Sequence, residues 1–156
     1  MPSESLSPQL EFALQLNVNI GPTLDLGQST GGVMRAVPIT GGTFKGPHLR
    51  GHVLAGGADW QLVDPEGVTS VDAHYVIETD DGVRIEVRNK GVRHGPAEVL
   101  RRIAAGEKVS SDEYYFRTTP LFQPPLGRYE WLKRSVFVGS AERHSDLVIV
   151  RVWRVL

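Results

Sequence analysis

From Leu10 to Val18 every second residue is apolar: Leu10, Phe12, Leu14, Leu16 and Val18 alternate with Glu11, Ala13, Gln15 and Asn17. A period of two puts one set of side chains on one face of an extended chain, so this stretch predicts a strand with a single buried face. Comparable runs predict further strands over 33–39, 49–54, 60–64, 70–78, 83–90, 114–119, 135–140 and 146–155. Turn signals separate them, among them Gly21-Pro22, Gly41-Gly42, Gly46-Pro47, Gly56-Gly57, Pro65-Glu66-Gly67 and Pro124-Pro125. Short strands punctuated this regularly point to an all-β barrel or sandwich.

The hairpin around Asp80-Asp81-Gly82 can be read down to its register, because both flanking alternations must agree on the buried face. A two-residue loop would oppose Ile85 to Glu78 and mix apolar with charged side chains. A three-residue loop pairs Ile77 with Ile85, Tyr75 with Val87 and Glu78 with Arg84, with Gly82 in the left-handed position of a bulged turn. Asn89 then falls on the apolar face opposite Ala73, where its amide either satisfies a backbone group or faces a ligand. Asp72, His74, Arg88 and Lys90 fall on the other face.

One helix interrupts the strands. Pro96 suits its start, Val99, Leu100 and Ile103 recur at helical spacing, and Gly106 is a natural stop, which predicts a short helix near 96–105. Arg101 and Arg102 lie where they favour the helix dipole. Such an insertion acts as a lid over a barrel mouth, or simply plugs an end. The last strand is apolar on both faces apart from Arg151 and Arg154, and so is expected to be central and covered on both sides, with a carboxylate or carbonyl partner for Arg151.

Composition narrows the chemistry. With no cysteine there is no disulfide scaffold, thiolate nucleophile or Cys-ligated metal. Seventeen Lys and Arg nearly cancel eighteen Asp and Glu, which removes the basis for tight non-specific nucleic-acid binding. No apolar run approaches a membrane span, and the N-terminus lacks the pattern of a secretory signal, so a soluble, cytoplasmic protein is expected. Residues 1–9 read as a flexible tail and 10–156 as one domain, a chain long enough to bury roughly 70% of its unfolded surface. Nucleotide-loop and serine-elbow motifs are absent, and the five histidines form no metal-ligating spacing. No cofactor or metal is expected.

Polar and aromatic residues concentrate in three blocks: 51–60, 112–120 and 129–132. Two glycines before Asp59 allow a tight path that presents its carboxylate to a cavity. Trp60, Tyr115, Tyr129 and Trp131 are candidates to line a pocket for a flat small molecule, with Asp59, His52 and Arg117 as its polar groups. Each also has a plain structural reading, as a turn carboxylate, a core aromatic or an arginine paired with Glu113 or Glu130.

Together, Gly41-Gly42-Thr43, Gly46-Pro47, Gly56-Gly57-Ala58-Asp59-Trp60, Asp72-Ala73-His74-Tyr75, Asp80-Asp81-Gly82, Asn89-Lys90-Gly91, Tyr115-Phe116-Arg117-Thr118-Thr119-Pro120, Trp131-Leu132 and Phe137-Val138-Gly139 resemble domain-of-unknown-function family 3237, also called uncharacterised protein family 0311. The resemblance covers about residues 10–156. It implies a single antiparallel β-barrel of about eight to nine strands that commonly forms a homo-oligomer, and it brings no settled reaction. His74 and Lys133 stand where the family pattern has Arg and Asn.

Three functional readings follow. The first is a cofactor-independent acid–base enzyme, an isomerase, cyclase or lyase, acting on a small aromatic or polyketide-like carbonyl compound. Asp59 is then the base, Tyr115 or His52 the acid and Arg117 the oxyanion stabiliser, with Trp60, Tyr75, Asn89, Tyr129 and Trp131 around the ligand. The second is a non-catalytic small-ligand carrier, since a barrel of about eight strands holds one small molecule. The third is a structural or oligomeric accessory domain. Open cavity or filled barrel separates them.

Overall fold

A computed structural model describes residues 6–156. Residues 1–5 of the expected tail lie outside the described residues, and residues 6–9 are exposed ahead of the first strand, with the Gln9 carbonyl accepting from the Leu156 N–H at 2.8 Å.

Among the described residues ten strands form: Leu10–Ile20 (β1), Leu24–Ser29 (β2), Gly32–Lys45 (β3), Arg50–Val53 (β4), Ala58–Val63 (β5), Thr69–Thr79 (β6), Arg84–His94 (β7), Tyr115–Gln123 (β8), Val136–Arg143 (β9) and Leu147–Val155 (β10). Every pairing is antiparallel, in the order β1-β10-β9-β8-β7-β6-β4-β3-β2, and β1 pairs back onto β3 to close an eight-stranded barrel. β4 and β5 lie end to end between β3 and β6. No helix among the described residues is long and apolar enough to cross a membrane.

Three details differ from the sequence reading. Gly41-Gly42 is no turn: β3 runs through it, with φ of 146° and 138° at the two glycines. A Cβ on Gly42 would lie 2.0 Å from the Asn17 carbonyl oxygen, so glycine is needed where β1 and β3 close the barrel. β2 falls outside the expected strands, because its largely exposed sequence LDLGQS carries little apolar alternation to signal it. β10 is central, but its outward side is only half-buried, with Trp153 meeting the Phe12 ring edge-on at 6.2 Å. In a barrel only the inner face of a strand is covered. Arg151 does find its carboxylate, donating to Glu142 at 2.7 Å.

The β6–β7 hairpin has the three-residue register: Ile77 opposes Ile85, Tyr75 opposes Val87, Glu78 opposes Arg84 and Ala73 opposes Asn89, with Gly82 at φ 84°. The helix spans Ala97–Ala104 (α1), one residue beyond Pro96, and buries Val99 and Ile103 across one barrel end. The other end is packed solid. Leu14, Leu16, Ile77, Ile85, Val87, Leu132 and Val152 are almost fully buried there, each worth about 2 kcal/mol of burial, and Phe122 meets Phe137 edge-on at 5.1 Å. Apart from Thr79 beside the β6–β7 turn, the buried polar side chains lie in the half beneath α1, and it is this division that places the site.

Candidate ligand cavity and active site

Strand alternation decides which side chains enter the barrel. On β5, Asp59 and Gln61 point inward and Trp60 outward; on β7, Ile85, Val87, Asn89, Gly91 and Arg93 form the inner row. Barrel closure brings these rows together with Thr118 of β8 and Arg143 of β9 around a cavity of about 50 Å³. Val18, Val37, Val71, Phe116 and Val150 supply apolar wall, and Tyr75 lies at its base. Gly57 permits the close approach of β5 to β6, since a Cβ there would sit 2.5 Å from both the His74 carbonyl oxygen and Tyr75 Cβ. Towards α1 the cavity shares Gln61, Arg93 and Arg143 with a vestibule of about 440 Å³, a size typical of small-molecule sites.

Asp59 is the carboxyl of this cavity. Gln61 Nε2 donates to its Oδ2 at 2.8 Å and the Asp72 backbone N–H to its Oδ1 at 2.9 Å. Burial nevertheless raises its pKa above the ordinary aspartate value, outweighing both hydrogen bonds and the charges of Arg93 and Arg143. Tyr75 is fully enclosed, and burial together with the Asp59 charge raises its phenol well above the ordinary range. Arg93 shows the reverse: burial, then Arg143 and Arg35, push its guanidinium down to about 10. Buried Asn89 Oδ1 and Thr118 Oγ1 have no hydrogen-bond partner among the described residues. A carboxyl with raised pKa beside a neutral phenol and free acceptors can move a proton and hold a hydroxylated ligand.

The cavity unites Asp59, Tyr75 and Asn89 from the residues singled out in the sequence. The others lie elsewhere. His52 and Trp60 are exposed on the outer face, as are Tyr115 and Arg117. Tyr115 stacks on His94 at 4.9 Å, with the Arg117 guanidinium 5.5 Å over its ring. Arg117 donates to the Phe116 carbonyl rather than to Glu113 or Glu130. Tyr129 and Trp131 sit at the solid end, where Tyr129 donates to Asp81 at 2.7 Å and Trp131 meets His48 edge-on. They border a broad open depression of about 760 Å³. Of its carboxylates, Asp80 is committed to Arg50 at 2.9 Å and Asp81 to Arg128 at 3.2 Å, and Glu11 is exposed to solvent, so the smaller interior cavity with its enclosed carboxyl is the stronger candidate. His74 faces outward to Glu86 at 3.0 Å, and Lys133 follows the turn at Glu130–Leu132, so neither departure from the family pattern touches the cavity.

Sequence reasoning missed Gln61, Arg93, Thr118, Arg143 and Arg35. For Arg93 the signal was present, since it continues the period-two row that already contained Asn89. No group of three His, Asp or Glu side chains among the described residues is placed to hold a metal ion.

The model of a family described as protein of unknown function DUF3237 matches residues 8–155. The chain belongs to this family. Within it, a UPF0311 protein of Rhodopseudomonas palustris is 41% identical over 97% of this chain and its own full length. The crystal structure of the conserved protein RPA1785 from that organism matches with a TM-score of 0.94 at 40% identity, covering 96% of this chain and 99% of its own. A β-barrel-like protein from Acinetobacter baumannii matches with a TM-score of 0.84 at 42% identity, over 96% and 97%. A relative with a named activity, the hydroalkoxylation enzyme phnH of Penicillium herquei, is 35% identical over 98% of this chain and 87% of its own. The expectation of a single β-barrel, implied by the family resemblance, and of one short helix, read from the residues near 96–105, both agree with the fold of this chain.

Proposed function

We propose that the chain binds a small unsaturated carbonyl compound in the barrel and acts on it as an acid–base enzyme of the cyclase or lyase type, with Asp59 moving the proton. The observation that carries this reading is the Asp59 carboxyl, enclosed in a cavity and held above its ordinary pKa by burial. The similarity to a hydroalkoxylation enzyme supports it, because hydroalkoxylation adds an O–H bond across a carbon–carbon double bond.

The step balances without an oxidant or reductant. Ionised Asp59 takes the proton of a phenol or alcohol, and the oxygen attacks the β-carbon of an enone. The double-bond electrons move onto the carbonyl oxygen, and Asp59 returns the proton to the α-carbon. Desolvation strengthens the carboxylate as a base, and Tyr75, its phenol kept protonated, supplies a donor for the enolate oxygen. Asn89 Oδ1 and Thr118 Oγ1 remain to accept from ligand hydroxyls. Tyr115, Arg117, His52, Trp60, Tyr129 and Trp131 take no part.

The test is a screen of 2-hydroxyphenyl enones in deuterated water. Ring closure with an excess of one enantiomer and one deuterium at the α-carbon is expected. Saturable binding with no closure at any pH would replace this reading with the carrier.

A further inference from the structure

Six arginines outside the barrel are paired: Arg50 with Asp80, Arg84 with Glu78, Arg88 with Asp72, Arg102 with Glu113, Arg128 with Asp81 and Arg151 with Glu142, all at 2.7–3.5 Å. Arg35, Arg93 and Arg143 belong to no ion pair among the described residues. They converge at the junction of cavity and vestibule, and Arg93 is only 7% exposed. Register explains the convergence: Arg35 lies opposite Gln61, Thr69 opposite Arg93, and Arg143 opposite Val148.

Each of the three keeps a buried donor unpartnered, Nε of Arg35, Nε of Arg93 and Nη1 of Arg143. Buried guanidinium donors without acceptors are costly, and here burial first, then neighbouring arginine charge, lowers the pKa of Arg93 (from Arg143 and Arg35) and of Arg143 (from Arg35). Asp59 relieves Arg93 and Arg143 only in part: its charge acts on both from a distance, but it forms no ion pair with any of the three, and its two oxygens accept from Gln61 and the Asp72 N–H. The vestibule wall adds Arg101 and contains no acidic side chain. One face of the Arg93 guanidinium is covered by the Phe116 ring at 5.3 Å, which leaves its edge donors for a planar acceptor.

We infer that Arg35, Arg93 and Arg143 form a binding site for a carboxylate carried by the small molecule, holding it under α1 with its neighbouring atoms in the cavity beside Asp59. This rests on the barrel being a small-molecule site, and it names the substrate class: an aromatic or unsaturated carboxylic acid. The carboxylate supplies the negative charge and the planar pair of acceptors that the three forks lack. Asp59 then sits near one end of the molecule and not against its carboxylate.

The test is calorimetric titration of the full chain with benzoate, benzamide and inorganic phosphate. Saturable benzoate binding, no benzamide binding and a Kd for benzoate raised about ten-fold by Arg143→Gln and by Arg35→Gln are expected. Asp59→Asn should bind benzoate at least as tightly as the unaltered chain. Equal response to benzoate and benzamide, a response to phosphate alone, or benzoate binding indifferent to both arginine variants would overturn the inference. The two proposals fail separately: loss of turnover in Asp59→Asn without benzoate binding sinks only the carboxylate site, and arginine-dependent benzoate binding with normal Asp59→Asn turnover sinks only the proton transfer.

Discussion

Gln61 donates to Asp59 at 2.8 Å from the same face of the same strand, two residues on. The pair fixes the carboxyl inside the barrel and leaves Trp60, between them, outside with 56% of its surface exposed. Tryptophan fluorescence is therefore a poor reporter of the cavity, and calorimetry, turnover and hydrogen exchange are the better readouts.

The pH dependence of stability follows from the burial of Asp59. Its folded-state pKa is raised, so the folded chain holds the proton more tightly than the unfolded one. That contribution is full below the unfolded value of about 3.9 and is lost as pH rises through the folded value. Asp59→Asn cannot ionise. It is expected to melt no lower than the unaltered chain at pH 7, with the difference shrinking towards pH 4, as scanning calorimetry across that range would show.

Arg93 should cost stability as well. Lowering its pKa from 12.5 to about 10 corresponds to roughly 3 kcal/mol of unfavourable charge burial at neutral pH. Arg93→Met is expected to raise Tm by several degrees while removing benzoate binding. A lower Tm with binding retained would make Arg93 a structural group instead.

Gly82 has φ of 84°, and a Cβ placed there would meet nothing within 4 Å, so only backbone strain opposes substitution. Gly82→Val should lower stability by about 1 kcal/mol or more in urea unfolding, and Gly82→Asn by less, because asparagine tolerates the left-handed region.

Gly42 is the contrasting case, opposed by contact as well as by φ. A methyl group there would meet the Asn17 carbonyl oxygen at 2.0 Å, so Gly42→Ala should cost about 3 kcal/mol and weaken the seam between β1 and β3. Hydrogen exchange of the β1 amides reads that seam directly.

Much of the fold was legible because period-two alternation is a local property. The Ile77–Ile85 register followed from matching two buried faces, and Asn89 entered the cavity as that register required. The same alternation placed Tyr115 and Arg117 outside, on the side opposite Phe116 and Thr118. Grouping them with Asp59 by composition ignored that rule. The meeting of Arg35, Arg93 and Arg143 was not legible, because β3, β7 and β9 come together at one mouth only once the barrel closes. Gly41-Gly42 misled for a related reason: a tight turn and a close strand crossing both need glycine.

The central claim is that Asp59 carries out the proton transfer, and the most direct measurement is the turnover of a cyclising 2-hydroxyphenyl enone by Asp59→Asn alongside its Tm. Asparagine preserves the size of the side chain and an acceptor for the Asp72 N–H but cannot take a proton. A folded Asp59→Asn protein that still binds the enone with turnover lowered about a hundred-fold or more is the predicted result. Turnover retained in a protein of unchanged Tm, or turnover lost only in proportion to a fallen Tm, would contradict it.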